Sequence, residues 1–280
     1  LFVSYKYILK IKLYSVDVSD FRSVLKHVDM IKPDEIYNLS GQTSVSLSFE
    51  QPFEAMESIA KATMNILEAI RFSNNDIRFY NAGSSDCFGD TGETYANELS
   101  PFNPCSPYGI AKSTAHYLVK NYREAYGLFA STGFLFNHES PLRPQRFVTQ
   151  KIISTAARIN AGYNERLKLG NLKISRDWGW APDYVDAIWR ILQQPNPEDF
   201  IISTGNTISL QQFVEKSFSF FNLNWKDYVD TDNNLIRPSD IQINRGNPAK
   251  AKKILDWSAT KNIDDIINEM CIFAKKNINT

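Results

Sequence analysis

Cysteine, histidine and net charge are all in short supply in this chain. The three cysteines, Cys87, Cys105 and Cys271, are too few for a disulfide framework and lack the paired spacing of zinc ligands. That usage suits a reducing compartment, and the expectation is the cytoplasm. The three histidines, His27, His116 and His138, are scattered, so no metal site is expected. Lys plus Arg and Asp plus Glu both total 31, giving a formal net charge of zero. Such a chain has no global attraction for nucleic acid or anionic lipid, so neither is expected as a partner and any anion must be held by local groups. Long apolar runs are missing as well. Residues 1–16 are interrupted by Lys6, Lys10 and Lys12. No uncharged stretch approaches the roughly 18 residues of a membrane span, and no signal peptide is apparent.

What is present suffices for a large core: 43% of the 280 residues are apolar. Short β-rich runs alternate with longer helical patterns, and several strands are apolar throughout, as in a parallel sheet covered on both faces. Lys12–Val16 reads as a strand, Phe21–Met30 as a helix, Glu35–Leu39 as a strand and Pro52–Arg71 as one long helix. Asp76–Asn81 reads as the next strand, Pro107–Tyr126 as a helix with Pro at its first position, and Phe129–Phe136 as a strand. The fold class is therefore α/β, a Rossmann-like, doubly wound parallel sheet with a smaller mixed domain. Beyond Asn137 the texture changes to a loop with Pro and Arg (Pro141–Arg146), a helix over Phe147–Ala161 and mixed short elements. Tyr184–Leu192 reads as a helix and Phe200–Ser203 as a strand that rejoins the large sheet. The expected division is residues 1–139 with 176–205 as the large domain, and 140–175 with 206–280 as the small one.

One span carries chemistry. Ser84, Ser85 and Asp86 are followed, after a loop rich in Gly, Pro and acidic residues, by Ser106-Pro107-Tyr108-Gly109-Ile110-Ala111-Lys112. Tyr108 and Lys112 are four residues apart and so share one helical face. A neighbouring ammonium favours phenolate, and phenolate can take a proton from an alcohol near neutral pH. The same pair could equally be an ordinary helix face, and Asp86 could simply cap a turn. Cys87 reads as a small packed residue, Trp178 and Trp180 as core or wall, and Lys250, Lys252 and Lys253 as a solvated helix face. A sheet of this kind ordinarily opens with a strand and a Gly-rich turn that receives a pyrophosphate. Here the first glycine is Gly41 and the first residue is Leu1, so the expectation is an N-terminal truncation that removes the first βαβ unit.

Several segments taken together resemble the GDP-mannose 4,6-dehydratase family of extended short-chain dehydrogenase/reductases. They are Glu35-Ile36-Tyr37-Asn38-Leu39, Ser84 to Gly89, Ser106 to Lys112, Asn121 to Tyr126, Phe136-Asn137-His138-Glu139-Ser140-Pro141, and Gly170-Asn171-Leu172 with Arg176-Asp177-Trp178-Gly179. The likeness runs from about Ile11 to the C-terminus. It implies an internal redox cycle on GDP-mannose, with a tightly held NADP that finishes the turnover unchanged. Tyr108 would take the proton of the sugar 4-hydroxyl while hydride leaves C4, and Ser84 would hydrogen-bond the same oxygen. Lys112 would lower the Tyr108 pKa and hold the nicotinamide ribose. Asp86 would remove the C5 proton and help expel the 6-hydroxyl as water, and hydride would return to C6.

The resemblance also implies further contacts. Asp17 and Val18 match the pair beside the adenine, Leu39, Ser40, Gly41, Gln42 and Thr43 the loop along the cofactor, and His138 and Arg143 further cofactor contacts. Asn137, Lys151, Arg176 and Arg237 match groups gripping the sugar nucleotide, for which the planar fork of Arg is suited. Two positions depart from the family pattern: Ser84 stands for Thr, and Asp86, one methylene shorter, for Glu. A homo-oligomer is expected. The competing readings are a nucleotide-sugar epimerase or 4-keto reductase, which needs no elimination carboxylate, and a cofactor-free inactive fragment.

Overall fold

A computed structural model describes residues 11–73 and 76–278. The first helix, α1 (Phe21–Ile31), is capped by the Asp20 carboxylate, which accepts from the Arg22 and Ser23 amides. Strand β1 (Glu35–Asn38) follows, then the short helix α2 (Val45–Glu50). Next come α3 (Pro52–Ala55) and α4 (Ala62–Ser73), joined by a π-helical turn over Met56–Lys61. Strand β2 (Arg78–Ser84) leads into a 3₁₀ turn, Ser85–Cys87, and after a loop into α5 (Pro107–Tyr126) and β3 (Ala130–Leu135). The remaining elements are β4 (Asn137–Glu139), α6 (Val148–Asn160), β5 (Leu167–Leu169), β6 (Ser175–Arg176), β7 (Trp178–Trp180), α7 (Ala181–Leu192) and β8 (Phe200–Ile202). They are followed by β9 (Ile208–Ser209), α8 (Leu210–Phe220), β10 (Val229–Thr231), β11 (Ile243–Asn244), α9 (Ala249–Leu255) and α10 (Ile263–Asn277).

The main sheet runs β1-β2-β3-β8, parallel throughout. Its strands are apolar on both faces because both are covered, as parallel crossovers require. On β2 the alternation is direct: Phe79 packs with Ile66, Leu67 and Val119, whereas Tyr80 packs with Tyr184, Ala187 and Phe200. Ala251, Leu255 and Trp257 belong to the second of these clusters, so α9 lies on the sheet rather than with α8 and α10. At Gly133 of β3 a Cβ would fall 2.4 Å from the Tyr80 hydroxyl, so the ring of Tyr80 occupies the space a side chain would need. A separate core forms where α6, α8 and α10 meet, around Ile152, Ile153, Trp178, Phe213, Phe218, Ile266 and Met270. Small sheets, β5–β10, β11-β6-β9 and β4–β7, edge this second core. No helix among the described residues is long and apolar enough to cross a membrane.

Three expectations are corrected. Lys12–Val16 forms no strand; Leu13 is 91% exposed, and no described strand flanks β1 on that side to supply a ladder. The long helix over Pro52–Arg71 is interrupted by its π turn, a one-residue excess that periodicity does not register. The expected solvated face of α9 is only partly so: Lys250 donates to the Asp199 carbonyl at 2.8 Å, pairs with Glu198 at 2.8 Å and covers the Phe200 ring. Residues 1–10, with Lys6 and Lys10, lie outside the described residues.

Helix α5 has the boundaries its sequence signals predict. Ser106 accepts from the Gly109 amide, Pro107 occupies the first position, and Gly127 closes the helix at φ 69°. The Ser106→Ala variant is expected to lose about 1 kcal/mol of stability in urea unfolding. An unchanged midpoint would show that the cap contributes nothing to this helix.

Candidate active site

Strand β2 ends at Ser84, and the chain turns at once into the 3₁₀ segment that carries Asp86. The Ser84 hydroxyl accepts from the Asp86 amide at 3.2 Å, which fixes that turn. The turn is also held from far along the chain: Asn244, 1% exposed, donates through Nδ2 to the Ser85 and Gly89 carbonyls at 3.2 and 3.1 Å. Tyr108 and Lys112 reach the same place from the first turns of α5. The Tyr108 amide donates to Ser48 Oγ of α2 at 3.1 Å, so two helices are locked together at the phenol's base.

Lys112 is buried and donates to the Ala82 carbonyl of β2 at 2.7 Å, with its amine 5.8 Å from the Tyr108 ring centroid. The pair therefore shares one face, as its spacing predicts. Electrostatically it differs from the expectation. Burial drives the Tyr108 phenol upward, and the nearby Asp86 carboxylate adds to that rise, while the Ser84 hydroxyl within bonding reach of the phenol opposes it. Burial also brings the Lys112 ammonium down to about 8. In this state desolvation is the largest influence on each group.

Asp86 is the second pole. Burial raises its pKa, the guanidinium groups of Arg176 and Arg237 lower it, and Asp240 raises it again. Asp86, Arg237 and Asp240 line one cleft together with Val45, Cys105, Ser106, Ser239 and Ile241. Arg176, on β6, is 7% exposed and donates to the Ser175 and Gln242 carbonyls. Four of the expected residues thus lie at the end of β2 and the start of α5, with Arg237 lining the cleft beside Asp86 and Arg176 near enough for its charge to act on Asp86.

The other expected residues lie around this centre with varied partners. Loop residues Leu39 to Thr43 leave the carboxyl end of β1, where parallel sheets bind dinucleotides. Leu39 is 60% exposed there, Ser40 donates to Asn38 at 2.6 Å, and Gln42 has a buried Oε1 with no hydrogen-bond partner. Gly41 takes φ +105°, and a Cβ there would lie 2.8 Å from the Ser58 carbonyl oxygen. Asn137 opens β4, and the adjoining His138 donates from Nδ1 to the Phe136 carbonyl, 2.9 Å away, beside the Tyr184 ring. Burial lowers the His138 imidazole to about 4, so it is neutral at physiological pH. Arg143 stacks on Phe147 and faces the buried Glu139 at 3.5 Å. Asp17 accepts from Ser19 through both its amide and its hydroxyl, and the Val18 carbonyl accepts from Asn65. Lys151 donates to the Lys168 carbonyl at 2.7 Å rather than into the cleft. Cys87 is fully buried, its thiol pushed up to about 11, and is a packed residue. Sequence reasoning missed Asn244, Ser48 and Asp240. Only Asp240 left a local trace, three residues after Arg237.

Comparisons with known proteins bear on this geometry. A family model described as GDP-mannose 4,6 dehydratase matches residues 4–270. GDP-mannose 4,6 dehydratase 2 of Arabidopsis thaliana is 43% identical over 263 residues, covering 92% of this chain and 70% of the relative. GDP-mannose 4,6 dehydratase of Homo sapiens is 39% identical over 278 residues, covering 92% and 75%. Among solved structures, RMD from Pseudomonas aeruginosa complexed with NADPH has a TM-score of 0.83 at 21% identity, covering 94% of this chain and 87% of that one. A dTDP-glucose 4,6-dehydratase from Streptomyces venezuelae with NAD bound has a TM-score of 0.83 at 16% identity, covering 94% and 79%. At such identities these two structures speak to the fold alone.

The buried Lys112 has a consequence for stability. Its folded pKa lies below the unfolded value, so the cost of burying the ammonium is felt in full below about pH 8 and fades as pH rises toward 10.5. That cost is on the order of 3 kcal/mol. The Lys112→Met variant is expected to resist urea better than the wild type at pH 7, with the advantage shrinking between pH 8 and 10. A difference that does not vary with pH would mean that the Ala82 carbonyl already compensates the charge.

Proposed function

Because the chain belongs to the GDP-mannose 4,6-dehydratase family, we propose that it converts GDP-mannose to GDP-4-keto-6-deoxymannose and water, with NADP as its cofactor. The observation that carries this reading is a carboxylate, Asp86, that lines one cleft with Arg237 and feels the charge of Arg176 as well, while the Tyr108 phenol lies within its electrostatic reach. An epimerase or 4-keto reductase needs the phenol and the lysine but no such carboxylate.

The residues present fit the nicotinamide half of the cofactor. Lys112 uses a single described acceptor for its three N–H donors, the Gln42 oxygen is buried without a partner, and the backbone at Gly41 makes a close turn a side chain would obstruct. Leu39 to Thr43, Lys112, His138 and Arg143 would hold that half, and Asp17 and Val18 the adenine. When bound, NADP supplies reversible hydride acceptance from C4 and return to C6 of the sugar. Tyr108 takes the 4-hydroxyl proton, with Ser84 hydrogen-bonding the same oxygen, and Lys112 favours the phenolate once its ammonium is engaged. With C4 oxidised, the C5 proton is acidic; Asp86 removes it and passes it to the departing 6-hydroxyl, which leaves as water, and C5 would take a solvent proton when hydride returns to C6. The C5–H electron pair becomes the C5–C6 double bond as the C6–O bond breaks, so the elimination balances. Arg176 and Arg237 hold the diphosphate, with Asn137 at its margin.

We assign residues 1–139 with 176–205 to cofactor binding and residues 140–175 with 206–280 to the sugar nucleotide. Self-association is supported by apolar side chains exposed on adjacent helices: Phe53 and Met64 on α3 and α4, and Ile110 and Tyr117 on α5.

Asp86→Asn is expected to lower formation of the 4-keto product on the order of 100-fold or more while leaving GDP affinity within about threefold. Asp86→Glu, which keeps the carboxylate, should retain activity. Because burial raises the Asp86 pKa, the wild-type rate should fall on acidification at a higher pH than an exposed Asp would give. Full activity in Asp86→Asn would remove the carboxylate from the mechanism.

A further inference from the structure

One oxygen of Asp240 serves two cations. Its Oδ1 accepts from Arg176 Nη2 at 3.3 Å and from Arg237 Nη1 at 3.3 Å. Both contacts are long for charge-assisted hydrogen bonds, which run to about 2.7–2.9 Å. The two guanidinium groups arrive from different parts of the chain, one on β6 and the other in the loop after β10, and Asp240 is where they meet. Arg176 is anchored further by the Ser175 and Gln242 carbonyls. Arg237 is freer, with Nε on Ser46 Oγ at 3.1 Å and a third of its side chain exposed. The four charges, counting Asp86 as ionised, sum to zero. A diphosphate arriving at the two arginines makes the cluster strongly negative unless a carboxylate withdraws.

We propose that Asp240 is a positioning residue that clamps Arg176 and Arg237 beside Asp86 in the unliganded enzyme and yields them to the diphosphate of the incoming nucleotide. The inference rests on the dehydratase reading in placing the diphosphate at these arginines. Two loose contacts on one oxygen make a clamp that several phosphate oxygens displace, and the carboxylate competes with them for both guanidinium groups until it yields. The clamp also ties substrate binding to the base. Asp86 is faced by Arg176 and Arg237, by Asp240, by the Tyr108 phenol from α5 and by Cys87 in its own turn. When the diphosphate neutralises the arginines, the proton affinity of Asp86 rises, so the acid limb of kcat lies at higher pH than that of kcat/KM.

The test is Asp240→Asn, with Asp240→Glu as the conservative control, read by calorimetric titration with GDP and by pH profiles of turnover. In Asp240→Asn the arginines are released from the competing carboxylate. GDP should bind roughly threefold or more tighter, and the acid limb of kcat/KM should move down by about half a pH unit or more while that of kcat moves less. Asp240→Glu should restore both. Weaker GDP binding with an unmoved acid limb overturns the clamp alone. A wild type that binds no GDP overturns the nucleotide-site reading and the clamp with it. GDP tightening without any turnover in the wild type supports the clamp and counts against the dehydratase activity.

Discussion

The site depends on a partly buried carboxylate within reach of two cations. Burial alone raises the Asp86 pKa. Arg176 and Arg237 pull in the opposite direction, and Asp240 moderates them. Much of the fold serves to bring these groups together. Strand β2 delivers Asp86 from the centre of the main sheet, β6 delivers Arg176 from the second core, and the loop after β10 delivers Arg237 and Asp240. The cleft lies where the turn after β2 and the residues leading into α5 meet the loop that carries Arg237 and Asp240.

Across the cleft the phenol and the amine illustrate how burial sets the working state. Among the described residues no carboxylate pairs with Lys112, so burial destabilises its ammonium, and burial likewise favours the protonated Tyr108 phenol. Both penalties would be relieved by ligand oxygens arriving at the open donors of Lys112, and the Ser84 hydroxyl already favours the phenolate. On the proposed roles, the charge states of these two groups would thereby be coupled to occupancy.

What was legible in the sequence follows how local each signal is. Helix α5 carries a capping serine, a proline at its first position and a closing glycine, so its limits and the shared face of Tyr108 and Lys112 could be read directly. The apolar strands β2, β3 and β8 declared a sheet buried on both faces. The motif order marked Ser84, Asp86 and Arg176. Asn244 and Ser48 could not be read, because each acts on a backbone group 60 or more residues away and sits in an unremarkable stretch. The π turn at Met56–Lys61 preserves helical composition while changing hydrogen-bond register, and the exposed Lys12–Val16 shows that β-prone residues do not make a strand without a neighbour. The pKa directions of Tyr108 and Lys112 were also beyond the sequence, because they depend on burial depth rather than spacing.

The most direct measurement is the position of deuterium in product formed from GDP-mannose in D₂O, read by proton NMR. If Asp86 removes the C5 proton and the hydride is carried within the sugar, the product bears deuterium at C5 and an undeuterated C6 methyl group. Retention of the original hydrogen at C5, or solvent deuterium in the methyl group, would contradict the account.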